Sequence, residues 1–448
     1  MDKVYTTMEE FHTQNAEISA GLPFLRKTGA LARELTICGR RIPNRLACQA
    51  MEGCDGTVEG APGELTIRRY QRLAKSGAGI IWVEAAAVMP EGRANPRQLL
   101  IGKANLDEFK KLAEMIKETA MAKGGREPVV ILQATHSGRH SKPEGTPAPL
   151  IAYNHPIFEK DSPIARERIV SDDYLDRVGE ALVQGAVLAE QTGFDGVDIK
   201  CCHGYLNAEL LSAYQRPGRY GGSLSNRTRL LRESISGAMA SCGRQFIVTT
   251  RLNAYDGFVY PYGFGTTQGG GLTFDRTEPM WLLKELAKMG VELVDITMGN
   301  PYANPHVNRP FAHGAYVPPE HPLTGVARVL GGIASLKKEV PSLTVIASAL
   351  SYLGVAAPHV AAAYVKNGGF DVAGFGRMIL AYPEFARDIL EKGELDAGRL
   401  CVACSKCTEI MRAGGTPGCV VRDSGVYAPI YREYCRKNIE SGKEGRSV

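Results

Sequence analysis

The sequence has no apolar run long enough to cross a bilayer, and its N-terminus does not combine a basic start, an apolar stretch and a small-residue cleavage site. A cytoplasmic protein with no membrane partner is therefore expected. No basic block is interleaved with aromatics. The 53 Lys and Arg and 48 Asp and Glu leave a net charge of +5 spread along the whole chain, so nucleic acid is not an expected partner. The chain also lacks GxGxxG after a first strand, and GxxxxGK[ST] anywhere, the glycine loops with which many α/β proteins cradle phosphate. The glycines at 269–271 sit in a long polar loop and read as a flexible connection. Nothing demands a disulfide framework. Small secreted domains use one because they cannot build a core, whereas 448 residues that are 44% hydrophobic can. With 23% charged residues the composition is that of an ordinary globular protein.

What is present is a rhythm. Short β-rich apolar runs recur at 46–51, 79–88, 129–135, 196–200, 246–251, 291–297, 343–349 and 370–376. Segments of helical periodicity separate them, at 105–123, 172–192, 226–241, 278–289, 326–338 and 355–367. Alternating strands and helices imply parallel βαβ units, and eight of them predict closure into a (β/α)8 barrel, an α/β fold, with an open doubly wound sheet as the alternative. The rhythm stops after Leu395. The expected division is a barrel over 1–395 and a cysteine-containing extension with a polar tail over 396–448.

Barrel enzymes build their sites where the strands end. Glu52 follows the first run, Gln133 and His136 close the third, and Lys200 to Tyr205 follow the fourth; Arg251, Thr297, Ser348 and Arg377 mark later ones. Polar, Pro-rich stretches at 140–170 and 301–324 fall on the same expected face. The sharpest run is DIKCCHGYL at 198–206. Lys200, His203 and Tyr205 could converge there as two donors for a substrate oxygen and a phenol that delivers a proton. The spacing equally allows a solvated lysine, a satisfied histidine and a packing tyrosine.

Several motifs, in order, resemble the old yellow enzyme family of FMN-dependent oxidoreductases over roughly residues 20–395: NRLACQAMEGCDGT at 44–57, WVEAAAVMPEGR at 82–93, ILQATHSGR at 131–139, and HGYLNAELLSAYQRPGRYGGSLSNRTR at 203–229. The resemblance implies FMN contacts from Ala50, Met51, Ala85, Gln133 and Arg251, and a phosphate grip near Ser348, Ala349, Gly376 and Arg377. It also implies hydride delivery to an activated C=C bond. In that chemistry Lys200 and His203 hold the substrate oxygen and Tyr205 donates the proton. Two positions depart from the family pattern. Lys200 stands where His or Asn is usual, which suits an enolate or a carboxylate-bearing substrate. Glu52 stands where Cys or Thr is usual, placing a carboxyl beneath the flavin.

The extension carries Cys401, Cys404, Cys407 and Cys419, a Cys-x2-Cys-x2-Cys-x11-Cys pattern that supplies four thiolates for one tetrahedral zinc or one iron–sulfur cube. The similarity to larger relatives, the 2,4-dienoyl-CoA reductases and trimethylamine dehydrogenases, implies a [4Fe-4S] cluster. Those relatives continue into nucleotide-binding domains. Electrons would here be exchanged with a separate ferredoxin or flavoprotein, or come from NAD(P)H directly.

The leading expectation is an ene-reductase acting on a small molecule with an activated C=C bond. Oxidative amine demethylation, a Schiff-base lyase or aldolase built on Lys200, and a non-catalytic flavin electron carrier are the alternatives. The oligomeric state is open, a homo-oligomer included.

Overall fold

In a computed structural model of the chain, the structure describes residues 4–311, 314 and 316–436. The end of the polar tail expected after the extension lies outside them. The first strands, β1 (Leu35–Ile37) and β2 (Arg40–Ile42), form an antiparallel hairpin. The two residues between them, Cys38 and Gly39, both take positive φ (49° and 73°), which matches the twist of a two-residue hairpin turn. The remaining strands are β3 (Leu46–Cys48), β4 (Ile80–Ala87), β5 (Val129–Thr135), β6 (Gly196–Ile199), β7 (Ile247–Asn253), β8 (Leu293–Thr297), β9 (Thr344–Ala347) and β10 (Val372–Phe375). They pair in parallel, in chain order, and β10 closes on β3. The predicted eight-stranded barrel is the observed architecture.

Each barrel strand is followed by helix. The six helices legible from periodicity are found at Leu106–Gly124, Asp172–Gln191, Arg229–Ser241, Thr277–Lys288, Pro322–Lys337 and Ala357–Lys366. The start of the second of these is set by Ser171, whose hydroxyl accepts from the Tyr174 amide at 3.1 Å, with Asp172 and Asp173 facing the positive end of the dipole. Two barrel helices were not anticipated, Glu64–Ala74 and Phe385–Lys392. The first buries a charged residue, Arg69, on its inner face, which breaks the apolar signature that periodicity relies on.

Strand alternation divides the barrel into two environments. Ala47, Ile80, Trp82, Val129, Ile131, Ile247, Leu293, Ile346 and Val372 pack together inside it, and Ile37 and Ile42 of the hairpin close this apolar end. The residues of opposite parity, such as Val130, Leu132, Val197 and Val248, pack outward against the helices. Further along the strands, the same inward parity reaches Gln49, Gln133, Asp198, Arg251 and Asp295, all buried. The barrel is therefore apolar at its N-terminal end and polar beneath its C-terminal mouth. In β4 the pairing register with β5 shifts between Val83 and Ala85. This bulge puts Ala85 opposite Gln133 and turns Glu84 to the helix layer, where it pairs with Arg69.

The extension packs on the barrel mouth through helices Lys406–Arg412 and Ser424–Tyr431. Arg68 and Arg72 both pair with Asp423, and Thr416 accepts from Arg97 and donates to the carbonyl of Cys54. Among the described residues, no helix is long and apolar enough to cross a membrane.

Candidate active site

The floor of the site is a buried polar network. Asp198 accepts from Trp82 Nε1 at 2.9 Å, from Gln133 Nε2 at 2.6 Å and from the Arg251 amide at 2.7 Å. Asp295 lies 3.1 Å from Arg251 Nε and accepts from Gln49 Nε2 at 2.9 Å. Burial pushes the Asp295 carboxyl up to about 7 against the pull of Arg251. This network holds Gln133 and Arg251 in place, and Arg251 Nη1 lies 3.4 Å from the Ala50 carbonyl.

Above it opens a cleft whose walls include Ala50, Met51, Glu52, Ala85, Gln133, Lys200, His203 and Tyr205, with about 780 Å³ of empty space, part of it open to solvent. These residues come from β3, β4, β5 and β6 or the turns after them, which is how residues 155 positions apart, Ala50 and Tyr205, share one wall. The opposite wall is Pro301, Tyr302, Asn308 and Arg309 from the loop after β8, and Cys407, Thr408, Met411 and Pro417 from the extension.

The turn after β6 sets the geometry. His203 and Gly204 take consecutive left-handed conformations, φ 65° and 67°, and Tyr205 then begins the short helix Leu206–Leu210. Glycine suits position 204, because its φ is positive and a Cβ there would come 2.5 Å from Asn300 Nδ2. The Tyr205 hydroxyl donates to Glu52 Oε2 at 3.0 Å and lies 3.3 Å from the Tyr302 hydroxyl. Lys200 holds its ammonium 3.5 Å from the Tyr205 ring centroid. His140, a residue that sequence reasoning did not single out, stacks on Tyr302 at 3.7 Å.

Burial dominates the titration of every one of these groups. It pushes the Tyr205 phenol well above its ordinary value, with Glu52 adding to the effect, and raises Glu52 itself, opposed by Lys200 and by the Tyr205 hydrogen bond. Burial lowers Lys200, and it holds His203 well below the ordinary imidazole range, with Arg251 and Lys200 reinforcing it. The phenol therefore carries its proton and the imidazole is neutral at pH 7. His203 Nε2 and Glu52 Oε1 are buried without a partner.

The remaining expected residues lie at the ends of β9 and β10. Ser348 donates to the Ile296 carbonyl at 3.1 Å, and Ala349 takes φ 70°. Gly376 precedes the short helix Arg377–Ala381. Arg377 donates through Nη2 to the Pro310 carbonyl at 2.9 Å, while its Nη1 is buried without a partner. His136 stays out of the cleft: its ring bonds the Tyr174 hydroxyl at 2.9 Å and accepts from the Gly138 amide. Tyr302, Asn308 and Arg309 were not anticipated individually. Their only sequence signal was the polar character of the 301–324 stretch.

The four cysteines of the extension are half-buried; burial raises the Cys401 and Cys419 thiols, with Cys407 adding to both, Cys419 to the first and Cys404 to the second. The Arg422 amide donates to Cys419 Sγ at 3.3 Å, and Ala403 and Ser405, between the first three cysteines, take positive φ. Among the described residues, no three His, Cys, Asp or Glu side chains are grouped so as to hold a metal ion.

A parallel barrel with a polar floor and a mixed cleft at its C-terminal mouth is the architecture of a barrel enzyme. Residues 33–290 match the NADH:flavin oxidoreductase / NADH oxidase family, and the chain belongs to that family. It is similar to the NADPH dehydrogenase of Halalkalibacterium halodurans, 28% identical over 271 residues that span 60% of this chain and 71% of that one. Among solved structures it is similar in fold to a 2-naphthoyl-CoA reductase complex (TM-score 0.72, 22% identity, 91% of this chain) and to the old yellow enzyme homologue from Zymomonas mobilis (TM-score 0.60, 19% identity, 82% of this chain and 93% of that one). The chain spans 58% of the length of the 2-naphthoyl-CoA reductase chain. The protein is an FMN-dependent oxidoreductase of that family.

Proposed function

We propose that this enzyme reduces an activated C=C bond, with FMN in the cleft and Tyr205 protonating the carbon next to the polarising group. The observation that carries this reading is that Lys200, His203 and Tyr205 share one cleft with Ala50, Met51, Ala85 and Gln133. The residues present fit FMN. Arg377 has a buried guanidinium nitrogen with no partner, the charge a phosphate needs, and Gln133 brings an amide to the cleft wall where a flavin ring has its polar edge. When bound, FMN supplies the hydride, and a nicotinamide is the proposed source of its electrons.

The rest of the chemistry belongs to the chain. Neutral His203 donates a hydrogen bond to the substrate oxygen without adding charge, and Lys200 supplies the positive charge that favours an enolate. Tyr205 keeps its proton until the substrate carbon takes it. The loop after β8 and the extension together form the far wall against which the substrate is held.

The same reading assigns a [4Fe-4S] cluster to Cys401, Cys404, Cys407 and Cys419, with a ferredoxin or flavoprotein as electron partner and zinc as the alternative occupant. It is supported by the cysteine spacing, by the amide hydrogen bond to Cys419 that stabilises a thiolate, and by Cys407 lining the cleft assigned to the flavin.

The test is the visible spectrum of anaerobically purified protein with metal and sulfide counted, followed by turnover of cyclic enones. Flavin bands and enone reduction that falls about 10²-fold or more in Tyr205→Phe are expected. Colourless protein, or a Tyr205→Phe variant that reduces enones at the full rate, overturns the reading.

A further inference from the structure

We propose that Glu52 returns the proton to Tyr205 after each turnover, carrying it from water in the cleft to the buried phenol. The proposal rests on the reading of Tyr205 as proton donor. A phenol that gives up its proton must regain one, and Tyr205 is only 1% exposed, so bulk water does not reach it directly. Among the described residues its hydroxyl has two side-chain hydrogen-bond partners: Glu52 Oε2 at 3.0 Å and the Tyr302 hydroxyl at 3.3 Å. Glu52 is half-buried and lines the cleft, with Oε2 on the phenol and Oε1 buried without a partner, so one carboxyl links the phenol to the cleft wall and keeps a second oxygen free to meet a water admitted there.

The step balances without an oxidant or reductant. The Tyr205 O–H bond breaks as a C–H bond forms on the substrate, leaving a phenolate. The Glu52 carboxyl O–H then breaks as the phenol re-forms, and the carboxylate takes a proton from water. A protonated Glu52 also reverses the hydrogen bond, donating to the Tyr205 oxygen and freeing the phenol O–H for the substrate.

Burial supports this role by raising Glu52 above the ordinary carboxylate range, which allows it to hold a proton nearer neutral pH. Lys200, at the end of β6, opposes that rise. Tyr205 and Tyr302 face Glu52 from the following turn and from the loop after β8, and Cys54 and Glu84 feel its charge from the adjacent loop and strand. Tyr302 is the weaker candidate, since burial raises its phenol further from neutrality.

The experiment uses the FMN-loaded full chain and 2-cyclohexenone as probe. Infrared difference spectra across pH, taken without substrate, should show a protonated-carboxyl band that is absent in Glu52→Gln and retained in Glu52→Asp. Steady-state turnover should be lost as pH rises through the Glu52 titration in the wild type and in Glu52→Asp. In Glu52→Gln that limb should disappear, and steady-state turnover should fall at least tenfold further than the single-turnover rate of pre-reduced enzyme, because Tyr205 starts each single turnover protonated. Equal loss of both rates in Glu52→Gln with the pH limb intact, absence of the carboxyl band in the wild type, or the steady-state defect appearing in Tyr302→Phe instead, overturns the proposal. Failure of the underlying reading looks different: the wild type reduces no enone, or Tyr205→Phe keeps its single-turnover rate.

Discussion

The Lys200 ammonium lies 3.5 Å from the centroid of the Tyr205 ring, while the Glu52 carboxyl accepts from the hydroxyl of the same phenol. The contact ties a buried cation to the π face of the residue assigned as proton donor, so Lys200 both positions the ring and sets the charge around it. Burial depresses the lysine while Glu52 supports its charged form.

Replacing Lys200 by Met should therefore cost about 10²-fold or more in kcat/KM, the scale of losing one donor aimed at developing negative charge. The loss should be larger for an α,β-unsaturated acid than for the matching ketone, because the ammonium also meets the substrate's own charge. Steady-state kinetics on the two substrate types checks this. Lys200→Arg should not restore activity, since a planar guanidinium cannot occupy the same point over the ring.

Arg377→Met should weaken FMN binding by about 10- to 100-fold, the worth of one charge-assisted hydrogen bond to a buried phosphate. Titration of the apoprotein with FMN, followed by quenching of flavin fluorescence, measures it. The far end of the cleft should be untouched, so FMN lacking its phosphate should bind wild type and variant alike.

Asp295 makes a prediction about pH and stability. Its carboxyl is at about 7 in the folded protein, against about 3.9 in an unfolded chain. The folded state binds this proton more tightly, so the stability it contributes is present below about pH 4 and is lost as pH rises to about 7. The limb amounts to at most on the order of 4 kcal/mol. In Asp295→Asn it should flatten, as read from urea midpoints of wild type and variant across that range.

Cys404→Ser should remove most of the iron and acid-labile sulfide from anaerobically prepared protein while FMN remains near one per chain. Zinc in place of iron and sulfide would reassign the four cysteines to a single tetrahedral ion.

Much of the fold was legible because its determinants are local. Buried parallel strands such as 129–135 are continuous apolar runs, and helices such as 172–191 carry both an apolar stripe and a capping serine. The helix Glu64–Ala74 escaped notice because Arg69, paired with Asp55 and Glu84, occupies its buried face. A charge that is buried only because its partners are 14 and 15 residues away looks, in the sequence, like a charge in solvent.

The candidate site divides in the same way. Their place at the ends of apolar runs marked Gln133, Lys200 and Arg251 as candidates, and the run from Lys200 to Tyr205 announced itself by residue type. Which groups meet those side chains was decided only by closure of the barrel. The Glu52 carboxyl comes to the Tyr205 phenol from 153 positions away, and Tyr302 comes to it from 97 positions on the other side. Those juxtapositions depend on the register of eight strands and on how the loop after β8 and the cysteine extension fold over the mouth. No local pattern encodes them, because they arise from packing between segments that are distant in the chain.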